Sequence, residues 1–158
     1  MSYNKGKQFE IHFREDFKKS FPKSFCFRLP DQMSGYLNSS NPCDFIGFTE
    51  KTLFLLELKS IKGNTLPFTN ITQFGKLVGE YNKKVDNEII GVIAWFYDHD
   101  KVVFIDIKEL LKMYKEGKKS VNIKYLDTKE YNILEIPSIR KRTYMVSDYT
   151  VLLNREDK

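Results

Sequence analysis

An aspartate at position 44, a glutamate at 57 and a lysine at 59 stand out among the charged groups of this 158-residue chain, because their neighbours are apolar. The stretch Asn41 to Ser60, NPCDFIGFTEKTLFLLELKS, reads as a hairpin in which a turn at Thr49-Glu50-Lys51 joins CDFIGFT to TLFLLELKS. Side chains alternate faces along a strand, so Leu53, Leu55, Glu57 and Lys59 point one way and Phe54, Leu56 and Leu58 the other. Asp44 shares its face with Ile46 and Phe48. Two acids and a lysine at the ends of paired, otherwise buried strands are costly unless something binds there. A divalent cation meets that need: carboxylate oxygens suit magnesium or manganese, and the lysine can hold an anionic substrate or the attacking water. The opposing reading is a solvated strand face whose Glu57 and Lys59 form a surface ion pair.

The elements that must position this hairpin are legible from periodicity. Gly6 to Lys19 reads as a helix with Phe9, Phe13 and Phe17 on one stripe, ended by Phe21-Pro22. Glu10 lies beside that stripe, where a helix packed across the hairpin can aim a carboxylate at the metal. Ser24 to Leu29 is a short strand, and Pro30 to Asn41 a polar loop, with Arg28, Gln32 and Tyr36 placed to touch a substrate. After the hairpin, IKGNTLPFTN is a linker, and a helix capped by Thr69 or Asn70 runs through Lys84 with Phe74, Leu77, Val78 and Tyr81 on its packed face. Gln73 falls in its first turn, where its amide can reach a phosphate or a water. Ile89 to Tyr97 and Lys101 to Ile107 form a second hairpin around Asp98-His99-Asp100, with Trp95, Phe96 and Phe104 in the core. Lys108 to Lys115 is a short helix capped near Gly117, GKKSVNIKYL and YNILEIPSIR give edge strands, and Tyr144 to Leu153 fits helix or strand equally. The order predicts an α/β domain, one unit over residues 1–158, with a mixed central sheet flanked by helices.

Composition narrows the setting. The net charge of +5 leans toward a polyanionic partner. Basic clusters fall at element edges: Lys5 and Lys7, Lys18 and Lys19, Lys115 to Lys119, and Arg140-Lys141-Arg142. Scattered cations around one acidic pocket are what a long phosphate backbone needs. Two cysteines, Cys26 and Cys43, read as small buried hydrophobes, and two histidines make a structural zinc site a poor fit. The polar opening lacks the apolar core of a signal peptide, and the longest apolar run, Ile89 to Phe96, is far short of the ~20 residues that span a bilayer. Cytosol is the expected compartment, with no membrane partner and no nucleotide cofactor.

Pro42-x-Asp44 followed by Glu57-x-Lys59 resembles the PD-(D/E)XK nuclease superfamily, and the wider chain resembles the RecU family of Holliday junction resolvases, in a phage or mobile-element form. Asn4-Lys5-Gly6 before the Glu10 helix is similar to the family's opening, and Asp44-Phe45-Ile46-Gly47 to its catalytic strand. Lys62, the Pro67-Phe68-x-Asn70-Ile71 segment, Ile105-Asp106 and Gly117-Lys118-Lys119-Ser120-Val121 follow in the family's order. The resemblance implies a restriction-endonuclease-like fold and a Mg²⁺ site, with Mn²⁺ an alternative, held by Asp44, Glu57, the Leu58 carbonyl and Glu10. It implies that Lys59 positions or helps deprotonate water, that Gln73 is an accessory group, and that a homodimer cuts two opposed strands of branched DNA. Lys5, Lys7, Arg28, Lys62, Lys118, Lys119, Arg140, Lys141 and Arg142 are the expected DNA contacts. Three departures accompany it: the family's glutamine sits a little farther along the helix, Cys43 stands where threonine is common, and the long stalk between the first two strands is reduced to Pro30 to Asn41. The alternatives are a nuclease of duplex ends or flaps and a DNA-binding relative without turnover.

Overall fold

A computed structural model describes residues 4–30 and 41–154. The polar loop, with Gln32 and Tyr36, lies outside the described residues except at its two ends. The first helix, α1 (Lys5–Ser20), is capped by Asn4, whose side chain accepts the Lys7 N–H at 3.0 Å, and it stops where the Phe21 N–H bonds the Phe17 carbonyl. Phe9, Phe13 and Phe17 are all buried, as their spacing predicts. Each ring removed from water contributes about 1.5–3 kcal/mol, enough for three of them to fix the helix on the sheet. Phe13 meets Phe45 edge-on at 5.1 Å and Phe17 meets Phe54 at 5.2 Å, so this stripe seats on the back of the hairpin that carries Asp44 and Glu57.

Six strands make the central sheet in the order β1 (Phe25–Arg28), β2 (Phe45–Thr49), β3 (Thr52–Ile61), β5 (Glu88–Phe96), β6 (Lys101–Asp106) and β8 (Leu134–Ile136). All neighbours are antiparallel except β3 and β5, which run parallel from Leu53↔Glu88 to Ile61↔Phe96. Phe54, Leu56 and Leu58 face α1, while Leu55 and Ile61 face the second core cluster beneath α2 (Phe74–Asn82) and α3 (Ile107–Lys115). The alternation read from the sequence therefore holds along β3. Two small ribbons flank the sheet: β4 (Thr65–Pro67) pairs with β7 (Ser120–Asn122), and β9 (Ser138–Arg140) with β10 (Met145–Ser147). The second ribbon is tied to α1 by the Asp16 carboxylate, which accepts the Ser147 N–H at 2.9 Å. A short helix, α4 (Val151–Asn154), follows it, so the segment Tyr144 to Leu153 contains a strand and then a helical turn.

One expected boundary moves. The linker IKGNTLPFTN is not structureless: it supplies β4 and a 3₁₀ turn at Phe68–Asn70, and α2 begins at Phe74 rather than after Asn70. Pairing of β4 with β7 holds the backbone extended as far as Pro67 and delays the helix. Gly91 marks a close approach in the seam between halves of the sheet. A Cβ there would lie 2.3 Å from the Ile105 carbonyl oxygen and 2.7 Å from the Phe104 ring. Gly91→Ala is expected to cost about 1–3 kcal/mol, read as a lowered urea midpoint at unchanged m-value.

Candidate active site

The carboxylate of Asp44 sits just before β2 begins, and its Oδ2 accepts the Leu58 N–H at 2.8 Å. The backbone of Asp44 also belongs to the sheet edge: its N–H bonds the Leu56 carbonyl at 3.0 Å and its carbonyl takes the Leu29 N–H at 2.9 Å. Because N–H and C=O of one strand residue point to the same side, the Leu58 carbonyl faces this same end of β2. Glu57 is fully buried on the opposite face from α1. Its Oε1 lies 3.3 Å from the Lys59 ammonium and takes a 3.3 Å bond from the Thr72 hydroxyl, while the Gln73 backbone N–H also donates to the carboxylate. Among the described residues its Oε2 is buried with no hydrogen-bond partner.

Burial pushes the Asp44 carboxyl above the usual range, against the pull of the Leu58 N–H and Lys59; the charge of Glu10 adds to the push and Arg28 relieves it. Burial likewise raises Glu57, with Lys59 lowering it and the nearby Asp44 charge raising it further. The site thus holds more negative charge than its lysine offsets. Among the described residues no three His, Cys, Asp or Glu side chains converge as a metal-binding group. Magnesium does not need three, since it keeps several waters and is held through one or two carboxylates and substrate phosphates. An unpartnered buried carboxylate oxygen, a second raised carboxyl and a carbonyl facing the same strand end fit such an ion.

The other expected residues fall into four groups. Glu10 reaches the neighbourhood of Asp44 but is engaged by Arg28, whose Nε lies 2.8 Å from one carboxylate oxygen and whose guanidinium lies 3.3 Å from the other. Arg28 also donates to the Leu29 carbonyl at 2.7 Å. Lys59 and Lys62 line a cleft of about 300 Å³ whose other wall includes Thr65 and Asn70, and Lys118 and Lys119 border the β4–β7 ribbon beyond it. Lys5 lies 5.2 Å from the Trp95 ring centroid and 5.1 Å from that of Tyr97, with Lys7 exposed in the same turn. Arg140 pairs with Asp100 at 3.2 Å, and Lys141 and Arg142 are exposed on the ribbon packed against α1, away from the Glu57 face.

Thr72 is the residue that sequence reasoning passed over. With the cap expected at Thr69 or Asn70, Thr72 read as an ordinary first-turn residue, whereas its hydroxyl donates to Glu57. Gln73 acts on Glu57 through its backbone N–H, at the cap position of α2, where the partial positive charge of a helix start favours an anion.

With this geometry in hand, the family model of Recombination protein U matches residues 18–147. The chain belongs to the RecU family. The match takes in Asp44, Glu57, Lys59 and Gln73 and begins within α1, downstream of Lys5, Lys7 and Glu10. Among solved structures, the fold is similar to that of Hjc from Archaeoglobus fulgidus, a Holliday junction resolvase from an archaeal hyperthermophile. That likeness has a TM-score of 0.51 and 17% identity, covering 66% of this chain and 78% of the other. A comparison with curated proteins gave no match. The expected α/β architecture with a mixed central sheet is therefore the observed one. No helix of the described residues is long and apolar enough to cross a membrane.

Proposed function

We propose that this RecU family member is a metal-dependent endonuclease that hydrolyses phosphodiester bonds in branched DNA, as a Holliday junction resolvase does. The observation that carries the reading is the Glu57 carboxylate, buried with one oxygen unpartnered among the described residues and the other shared by Lys59 and Thr72. Such a group is costly to bury in a protein without a cation to bind. Asp44, Glu57 and the Leu58 carbonyl would hold Mg²⁺ or Mn²⁺, which supplies positive charge for the phosphoryl oxygens and the attacking water.

The chain's own groups do the rest. Lys59 reaches the solvent-accessible side of the site and orients the attacking water, then steadies charge developing on phosphorus. Thr72 and the Gln73 N–H hold Glu57 in place, and the Gln73 N–H favours its charged form against the effect of burial. Arg28 holds Glu10 at the rim, where the pair tunes the charge of Asp44. Water adds to phosphorus and the bond to the 3′-oxygen breaks, leaving a 5′-phosphate and a 3′-hydroxyl. Lys62, Lys118 and Lys119 take flanking phosphates, with Lys5, Lys7 and the Arg140–Arg142 segment bearing on more distant arms. Two opposed cuts require two sites, and a homodimer supplies them.

The test is cleavage of a labelled four-way junction against a linear duplex of matched sequence, in Mg²⁺, Mn²⁺ or EDTA. Symmetric, metal-dependent cutting of the junction is expected. Equal cutting of duplex and junction would retain the nuclease and remove the resolvase, and junction binding in EDTA with no cutting in either metal would leave a binding protein.

A further inference from the structure

Beside the site lies an aromatic cluster that the chemistry above does not use. Phe68 from the 3₁₀ turn, Phe74 at the start of α2 and Tyr114 in the last turn of α3 meet with ring centroids 5.7 Å (Phe68 to Phe74), 6.2 Å (Phe68 to Tyr114) and 5.7 Å (Phe74 to Tyr114) apart. The two phenylalanines are half-buried against the core, which accounts for them as packing. Tyr114 is 59% exposed, and packing does not account for it. Its neighbours stand at 85° and 49° to its plane, so neither stacks flat upon it.

A lone exposed tyrosine is ordinary; the placement of this one is not. Thr72, which bonds Glu57, precedes Phe74 by two residues, so their Cα atoms are within about 7 Å of one another. On the other side, the Lys119 carbonyl accepts the Phe68 N–H at 3.0 Å, fixing a basic stretch next to the rings. Lys115 and Lys119 are exposed there, and Lys118 lies 4.0 Å from the Glu130 carboxylate. The nearby Glu116 carboxylate is taken by the Tyr131 hydroxyl. An aromatic face rimmed by amines, adjacent to a phosphodiester site, matches a nucleobase with its flanking phosphates. Bases within a paired duplex are stacked on each other and offer no free face, so the fitting ligand is an unpaired one.

Resting on the nuclease reading above, we propose that Tyr114, supported by Phe68 and Phe74, is a stacking platform for an unpaired nucleobase beside the scissile phosphate, with Lys118 and Lys119 holding the adjoining backbone. The platform would favour DNA whose strands open at the site over DNA fully paired there.

The test uses the full chain in Ca²⁺ without Mg²⁺ and a forked DNA in which 2-aminopurine is the first unpaired nucleotide, with the fully paired duplex as comparison. Wild type and Tyr114→Phe are expected to quench the probe on binding. Tyr114→Ala is expected to lose the quench, and its preference for fork over duplex is expected to fall about 5- to 150-fold, the range of one base–aromatic stack. Lys119→Ala should weaken fork binding and lower its salt dependence while leaving the quench of the bound probe in place. Quenching by Tyr114→Ala equal to that of wild type, or an unchanged fork preference, would overturn the platform. This readout needs no cleavage: an inactive protein with a Tyr114-dependent quench would defeat the nuclease alone, and an active one without it the platform alone.

Discussion

Asp44→Asn is expected to lower metal-dependent cleavage of junction DNA by roughly 10³-fold, while the protein melts at or slightly above the wild-type temperature. The loss follows from what the carboxylate would do. A bound divalent ion stabilises charge in the transition state by several kcal/mol, and each 1.36 kcal/mol is tenfold in rate. Removing one of two anionic ligands forfeits most of that. Asparagine keeps an oxygen that can accept the Leu58 N–H, so the edge where Asp44 meets β3 is preserved. It also removes a charge that burial disfavours, hence the melting behaviour. Single-turnover cleavage and a thermal melt on the same preparation check both halves. Cleavage within tenfold of wild type would detach Asp44 from the chemistry.

Glu57→Gln is expected to abolish cleavage to a similar degree and, without metal, to raise the melting temperature by about 2–4 °C at neutral pH, the shift that goes with roughly 1 kcal/mol in a domain of this size. Glutamine can keep the bond from Thr72 while its neutral amide no longer carries a buried charge. The sign of the pH dependence follows from the same burial. The folded pKa of Glu57 lies above its unfolded value, so between the two the native state binds more protons than the unfolded one. Stability from this group therefore increases as pH falls through that window, and is lowest above the raised value, where the charge is fully buried. Asp16 and Asp44 are raised by burial too and contribute in the same direction. Wild type should melt higher at mildly acidic pH than at neutral pH, with a shallower slope in the variant. Mg²⁺ at neutral pH should raise the melting temperature of wild type and leave that of Glu57→Gln unchanged. A variant less stable than wild type at neutral pH would show that the Lys59 ion pair outweighs the burial.

What the sequence made legible was local. The Phe9, Phe13 and Phe17 stripe and the alternation along Thr52–Ile61 are periods of single elements, and the fold honours them. The hairpin with Asp44, Glu57 and Lys59 was readable because its turn, strands and charges lie within twenty residues of one another. Harder to read were contacts made across the chain. The β4–β7 pairing joins Leu66 to Val121, and neither short segment announces a strand. The spacing of Glu10 gave its face of α1, but the guanidinium that occupies it comes from Arg28 on another element. Thr72 drew no notice because its partner, Glu57, lies on β3, fifteen residues earlier in the chain.

The single parallel pairing of β3 with β5 divides labour along the chain. Every group proposed for cutting, from Glu10 to Gln73, lies before β5 in sequence, whereas the proposed platform residues Tyr114, Lys118 and Lys119 lie after it. On the proposed reading the first half of the polypeptide is the blade, with Lys5, Lys7 and Lys62 as its own handholds, and the second half carries the base platform. Preference for open over paired strands can then change after residue 88 without touching the chemistry, whereas the stretch between residues 44 and 73 has little freedom to drift.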